Sequence, residues 1–394
     1  DTEVMLAHVA RHGPHAVKDL RGMFAAAWWN AGEKTLHLVR DPLGIKPLLV
    51  YDTDGPERLL VFASELKALL ASDLVPRTID RSAVEAFLTL GYVPGHRTPL
   101  RRVRHLPPAT LLAVNRNGAT GSRYWTVPDP DARPEQGSPE AAVRRAVRDA
   151  VTGQLTGDVP IGILLSAGLD SSIVLHHMAE AYDGPLHTYT AGFPHPDFDE
   201  STVAKRTARE YGTVHHHVHC SPGGLVEAFP RIVGATDALI ANTAAYPVYE
   251  VCRLAAADLK VVLSGLGGDE MFFGYPTYQA DRLAALAALL PRLLTDSVGA
   301  IARHLPVTHG RVSLDYKLRK FFEGAHLEPE KAHYWWRTIF TDAQRDNLLA
   351  EPDASGESAW DAFREAFARS NAADFLHRAA ACDLETWLAS NAVM

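Results

Sequence analysis

The chain has 394 residues, a formal net charge of −8 with histidine neutral, 47% apolar residues and 22% charged ones. That length predicts two or three domains with real cores and excludes a disordered chain, while the acidic balance excludes the basic face of a nucleic-acid binder. No run of about 18 uncharged apolar residues is present to span a bilayer, and DTEVMLAHVA at the start lacks the basic and long apolar regions of a secretory signal.

Residues 22–64 read as β structure. The apolar run Gly22–Trp29 meets turn chemistry at Asn30–Glu33, and alternation resumes from Lys34 to Arg40. Asp41-Pro42-Leu43-Gly44 is a loop, and 48–51 and 59–64 are two further short strands. Ser82 and Glu85 form a capping box that opens a helix over 83–90. Ala109–Val114 and Arg123–Val127 are expected to close the sheet as a strand pair. Residues 128–139 are rich in proline and charge without periodicity, so the domain boundary is expected there: 1–127, a linker at 128–139, and 140–394. Beyond it Ser138-Pro139 starts a helix. Apolar strands at 159–165, 186–191, 213–219 and 259–263 then alternate with helices at 171–182, 201–211 and 223–258. Continuous apolar strands between helices predict an α/β doubly wound parallel sheet. From about 276 onward the chain reads as helical.

Two segments carry chemistry. In Ile161–Ser172 an apolar strand runs into the small-residue turn Ser166-Ala167-Gly168, then a helix opening on Leu169-Asp170-Ser171-Ser172. Successive backbone N–H groups and a helix start favour phosphate. Ser166, Ser171 and Ser172 add hydroxyls. Asp170 would repel bare phosphate but suits Mg²⁺, which accompanies a triphosphate. An ordinary turn with serine caps is the competing reading. The second segment, Val261–Glu270, again runs a strand into a turn, Ser264-Gly265-Leu266-Gly267-Gly268, ending on Asp269-Glu270. Asp269 would be a second Mg²⁺ ligand opposite Asp170. Alternatively the two acids only complement a helix N-terminus.

In series these segments resemble a family. SAGLDSS is similar to the pyrophosphate loop of the glutamine-hydrolysing asparagine synthetases, and SGLGGDEMFFGY to their second loop. RGMFAAAWWN, RDPLGIKPL and FASELKAL resemble the later part of the class II amidotransferase domain that precedes it, and DLETWLASNAVM a segment of the synthetase domain. The resemblance implies a β-rich α+β amidotransferase remnant, then a synthetase domain of the adenine-nucleotide ATP-pyrophosphatase type with a helical C-terminal part. It implies ATP-dependent amidation of a carboxylate, aspartate first, through an acyl-adenylate, with AMP and pyrophosphate released. Asp170 and Asp269 would be the catalytic and Mg²⁺-holding residues. Leu165 to Ser172, with Ala191, Ser264 and Gly265, would bind ATP. Asp1 falls where the family binds the glutamine α-amino group.

The implied partners are small molecules: ATP, a carboxylate such as aspartate, and glutamine or ammonia. Neither nucleic acid nor membrane is implied, and a homodimer is compatible with the family. The family's first-residue cysteine nucleophile is not in this chain, so glutamine hydrolysis is not expected of the chain as written. It starts in mid-pattern at Asp1 and stops at WLASNAVM, and reads as a fragment cut at both ends. Ala167 replaces a glycine and Leu266 an acid often found in the second loop, which leaves open another acceptor carboxylate (a natural-product, polysaccharide or β-lactam-forming relative). A catalytically inactive ATP-binding relative is the remaining alternative.

Cys220, Cys252 and Cys382 are odd in number and far apart, which fits neither a disulfide framework nor a CxxC zinc site and predicts the cytoplasm. His215, His217 and His219 share a strand face, but no acid or cysteine at ligand spacing makes them a zinc site. His176 and His177 read as partly buried helix residues.

Overall fold

The computed structural model describes residues 1–53, 58–128, 138–307, 313–349 and 357–392. The chain forms two compact units, one of residues 1–130, 236–241 and 327–394, the other of 131–235 and 242–326. The expected linker at 128–139 lies, apart from its ends, outside the described residues.

In the first unit, helix α1 (Thr2–His12) precedes strands β1 (Ala25–Asn30), β2 (Thr35–Arg40), β3 (Leu49–Asp52) and β4 (Leu60–Ala63). Helices α2 (Leu66–Ala71) and α3 (Arg81–Leu90) follow, then β5 (Val103–His105), β6 (Thr110–Asn115) and β7 (Gly118–Arg123). The strands make two antiparallel sheets, β1-β2-β6-β7 and β4-β3-β5. Period-2 alternation sorts their side chains. Leu38, Leu48, Val50 and Leu106 fill the space between the sheets. Val39 and Leu111 point the other way, onto Val9 of α1, and Leu49 and Tyr51 onto Leu69 of α2. The loop after β2 is pinned by buried charge. Asp41 accepts from the amides of Leu43, Ile45 and Lys46 at 3.2, 2.9 and 2.9 Å. Arg40 donates to the carbonyls of Lys46, Leu106 and Gly44.

Two local expectations change. The cap of α3 is Asp80, whose side chain accepts from the Ala83 amide; Ser82 is buried and donates its hydroxyl to Asp80. The last hairpin pairs Thr110–Asn115 with Gly118–Arg123, not with Arg123–Val127. Arg116-Asn117 make the turn, Gly118 (φ 139°) opens β7, and the Asn115 side chain accepts from the Asn117 amide at 2.8 Å.

The second unit carries α4 (Pro139–Gly153), β8 (Ile161–Leu164), α5 (Leu169–Ala181), β9 (His187–Gly192), α6 (Ser201–Glu210) and β10 (Val214–His219). It continues with α7 (Pro222–Thr236), α8 (Ala245–Ala255), β11 (Val261–Leu263), α9 (Gly268–Phe272), α10 (Pro276–Ala287), α11 (Arg292–Ala302) and α12 (Leu314–Gly324). All pairings are parallel, in the order β10-β9-β8-β11. Helices cover both faces. Ile161, Ile163, Leu175, Met178 and Ala204 form a core with α4, α5 and α6, and Tyr189, Val251, Ala255 and Leu259 form another with α8. Successive strands step outward from β8 through β9 to β10, then β11 returns to the opposite side of β8. The strand order therefore reverses between β8 and β11, the place where open α/β sheets bind ligands at strand carboxyl ends.

The chain then returns to the first unit as α13 (Pro329–Arg337), α14 (Asp342–Leu348), α15 (Ala359–Arg369), α16 (Phe375–Asp383) and a π-helix over Leu384–Ala392. Asp383, fully buried, contacts His333 Nε2 at 3.1 Å and Arg337 at 2.5 Å. Burial would raise its pKa, but Arg337 and His333 outweigh that and hold the carboxyl far below the ordinary range. Among the described residues no helix is long and apolar enough to cross a membrane.

Candidate functional site

β8 delivers its loop to the switch point. Leu165 is buried; its amide donates to Tyr189 O on β9 at 2.8 Å, and its carbonyl accepts from Thr190 Oγ1 at 2.7 Å. The turn is tied internally by Ser171. The Ser171 hydroxyl accepts from the Ser166 amide at 3.2 Å and lies 3.0 Å from the Ser166 hydroxyl. The Gly168 amide donates to Ser166 Oγ at 3.1 Å. Ser171 is therefore a buried staple, and Ser166 is exposed. The first-turn amides of Leu169 and Asp170 have no intrahelical acceptor by position. Gly168 is extended (φ −72°, ψ 153°), and Ala167 is not among the residues with positive φ. Alanine thus replaces glycine there without backbone strain.

β11 delivers the second loop beside the first. A Cβ on Gly265 would stand 2.8 Å from the Ser171 amide nitrogen and 2.9 Å from Asp170 Cβ. A Cβ on Gly268 would stand 2.5 Å from Asp170 Cγ and Oδ2. Those glycines are there for close approach, not for unusual dihedrals. Only Gly267, at φ 93°, needs left-handed backbone in this loop, and it caps α9. Asp269 sits in the first turn of α9. Burial, then the nearby Asp170 charge, pushes its pKa up. Two carboxylates brought together at this cost suit a cation between them.

A further acid enters that was not foreseen. Glu200, the residue before α6, accepts from the Ala167 amide at 3.2 Å. Its neighbour Asp199 is tied to Ser201 and the Phe193 amide. The signal for Glu200 was only its place at a helix start in Asp197–Ser201. Glu270 is buried and accepts from Tyr275 OH at 2.8 Å.

The structure thus brings together Leu165, Ser166, Ala167, Gly168, Leu169, Asp170, Ser171, Ser172, Ser264, Gly265 and Asp269. Ala191 lies near the carboxyl end of β9, the next strand over. Asp1 stands in the first unit, exposed, capping α1 through its backbone carbonyl. The histidines of β10 have separate roles. His215 Nδ1 meets Thr188 Oγ1 at 2.9 Å, and His216 stacks on Tyr189 with ring centroids 4.7 Å apart. Cys220, Cys252 and Cys382 are all free thiols.

Comparison with known proteins gives two family matches: asparagine synthase over residues 142–393 and a glutamine amidotransferase domain over 1–125. Asparagine synthetase (glutamine-hydrolyzing) 1 of Bacillus subtilis is 34% identical, over 71% of this chain and 44% of its own length. A putative asparagine synthetase (glutamine-hydrolyzing) of Mycobacterium tuberculosis is 32% identical, over 98% of this chain and 59% of its own. Asparagine synthetase B (glutamine-hydrolyzing) of Escherichia coli is 34% identical, over 70% and 47%. The chain spans about half the length of these curated relatives.

Proposed function

The chain belongs to the asparagine synthase family, and from that premise we propose that the protein carrying it amidates a carboxylate at the expense of ATP, with aspartate as acceptor and glutamine as the source of ammonia. The observation that carries the reading is the glycine-fitted contact of Gly265 and Gly268 with Asp170 and Ser171 at the sheet's switch point.

A carboxylate is a poor acceptor for ammonia because oxide is a bad leaving group. In the proposed reaction an acceptor oxygen attacks the α-phosphorus of ATP, the bond to the β-phosphate breaks, and pyrophosphate departs. Ammonia then attacks the acyl carbon and AMP leaves. The chain's task is to position the nucleotide and balance charge. The first-turn amides of α5 and the Ser166 and Ser172 hydroxyls serve the departing phosphates. Leu165 and Ala191 flank the nucleoside. The raised pKa of Asp269 beside Asp170 fits a divalent cation, so these two acids would hold Mg²⁺. When bound, Mg²⁺ spreads the negative charge that builds on the leaving pyrophosphate.

One observation favours a second reading of the acceptor. Leu266, 61% exposed on the second loop, puts an apolar side chain where an acid was expected. An acceptor with an apolar flank would suit it better than aspartate. ATP–pyrophosphate exchange with a panel of carboxylates decides: the proposed acceptor stimulates exchange most, and exchange with none of them, despite tight MgATP binding, sinks the ligase reading in favour of an inactive relative. The free thiols and the family both suit a cytoplasmic enzyme.

A further inference from the structure

Helix α5 carries a second group of donors, about two turns beyond the nucleotide loops and independent of the function proposed for them. His176, His177 and Glu180 bring their ligand atoms within 4.8 Å of one another. Glu180 stands four residues after His176 and three after His177, so one carboxylate lies over both imidazoles. It divides its oxygens between them: Oε1 is 3.5 Å from His176 Nε2 and Oε2 is 3.2 Å from His177 Nδ1. Metal–nitrogen bonds of about 2.0–2.1 Å place neighbouring donors about 3.3–3.4 Å apart in a tetrahedron. Each imidazole nitrogen therefore stands near that spacing from the shared carboxylate, and all three ligand atoms lie within 4.8 Å of one another on one helix.

The surroundings orient them. Tyr211, the residue that ends α6, has its hydroxyl 3.3 Å from His176 Nδ1. With a metal on Nε2, the Tyr211 hydroxyl is placed to accept from Nδ1–H, the outer hydrogen bond that orients a metal-binding imidazole. His177 is 5% exposed, so packing fixes its ring. His176 and Glu180 reach solvent, which leaves a coordination position open to water.

We propose that His176 Nε2, His177 Nδ1 and the Glu180 carboxylate bind one divalent transition-metal ion of the zinc type. Two imidazoles and one carboxylate suit zinc, nickel or copper; Mg²⁺ and Ca²⁺ take oxygen ligands. Occupancy would clamp the last turns of α5 and, through Tyr211, the end of α6.

The reduced, metal-free chain titrated with Co²⁺ and followed by visible absorption tests this. One equivalent produces the d–d bands of a nitrogen–oxygen site, without the thiolate charge-transfer band that exposed Cys252 would give, and Zn²⁺ bleaches them. His176→Ala and Glu180→Ala, both on the solvent side and checked by circular dichroism, abolish that step. Tyr211→Phe weakens it about tenfold. Absence of a saturable step in the unmodified chain overturns the proposal. So does a step unchanged in both ligand variants, a thiolate band, or loss of the step in His217→Ala on β10.

Discussion

Replacing Gly268 with alanine separates function from folding at the site. The new Cβ would fall 2.5 Å from the Asp170 carboxylate. Ordinary contact between carbon atoms is about 3.5 Å, so the carboxylate must retreat by about 1 Å. It is the far end of a rotatable side chain, and turning it off its preferred rotamer costs about 0.5–1.5 kcal/mol. Alanine at the first position of α9 returns up to about 1 kcal/mol in helix propensity. The two offset each other, so the melting temperature stays within a few degrees. Misplacement by about 1 Å, by contrast, is worth about 100-fold in rate. Gly265→Ala should behave oppositely, because its Cβ meets the Ser171 backbone nitrogen at 2.8 Å and the start of α5 itself must move. That variant loses about 1–3 kcal/mol of stability. The assays are ATP–pyrophosphate exchange and thermal melting on the protein expressed from its complete reading frame. Full exchange in Gly268→Ala, or equal destabilisation in both variants, refutes the geometric reasoning.

Asp269→Asn should abolish exchange yet raise the melting temperature at neutral pH. The folded pKa of Asp269 lies above its ordinary 3.8, so the native state binds the extra proton in that window and stability falls as pH rises through it. The gain vanishes below the ordinary carboxylate pKa, and a variant that melts lower at neutral pH argues against the paired acids. His105 titrates with the opposite sign. Burial, then Arg40 and His96, holds it down to about 3 against an ordinary 6.5. Its contribution is complete above pH 6.5 and is lost as pH falls toward 3, at about 1 kcal/mol per pH unit; urea midpoints at pH 7 and pH 5 measure this, and His105→Leu should flatten the difference. Asp41→Ala removes the acceptor of three part-buried amides in the loop after β2, costing the first unit about 1–3 kcal/mol in all, since water reaches part of the loop. A chemical denaturation midpoint that does not move contradicts it.

Much of the site was legible because backbone chemistry there is local. A strand, small residues and a helix opening on Asp170 state their geometry in adjacent positions, and the same holds before Asp269. The change from short alternating strands to continuous apolar ones between helices likewise announces a parallel sheet. What stayed hidden depends on residues far apart. Nothing near Gly268 says that the Asp170 carboxylate will lie against it, and nothing near Ala167 points to Glu200. The last hairpin was misplaced because β7 reads Gly-Ala-Thr-Gly-Ser-Arg, poor in strand formers, whereas Tyr124 and Trp125 just beyond it are rich in them. At α3 the Ser82–Glu85 spacing reads as a capping box, but packing buries Ser82 and leaves the cap to Asp80.

The two loops leave strands that are neighbours in the sheet but remote along the chain. Neither loop alone makes the site when the sheet comes apart, because Gly265 and Gly268 meet Asp170 and Ser171 only while β11 lies beside β8. A nucleotide gripping both would therefore bind only the closed sheet, and mass action would carry its free energy to every opening that separates β8 from β11. Protection from proteases should then spread to helices that never touch the ligand, making cleavage of the whole second unit a sensitive gauge of occupancy.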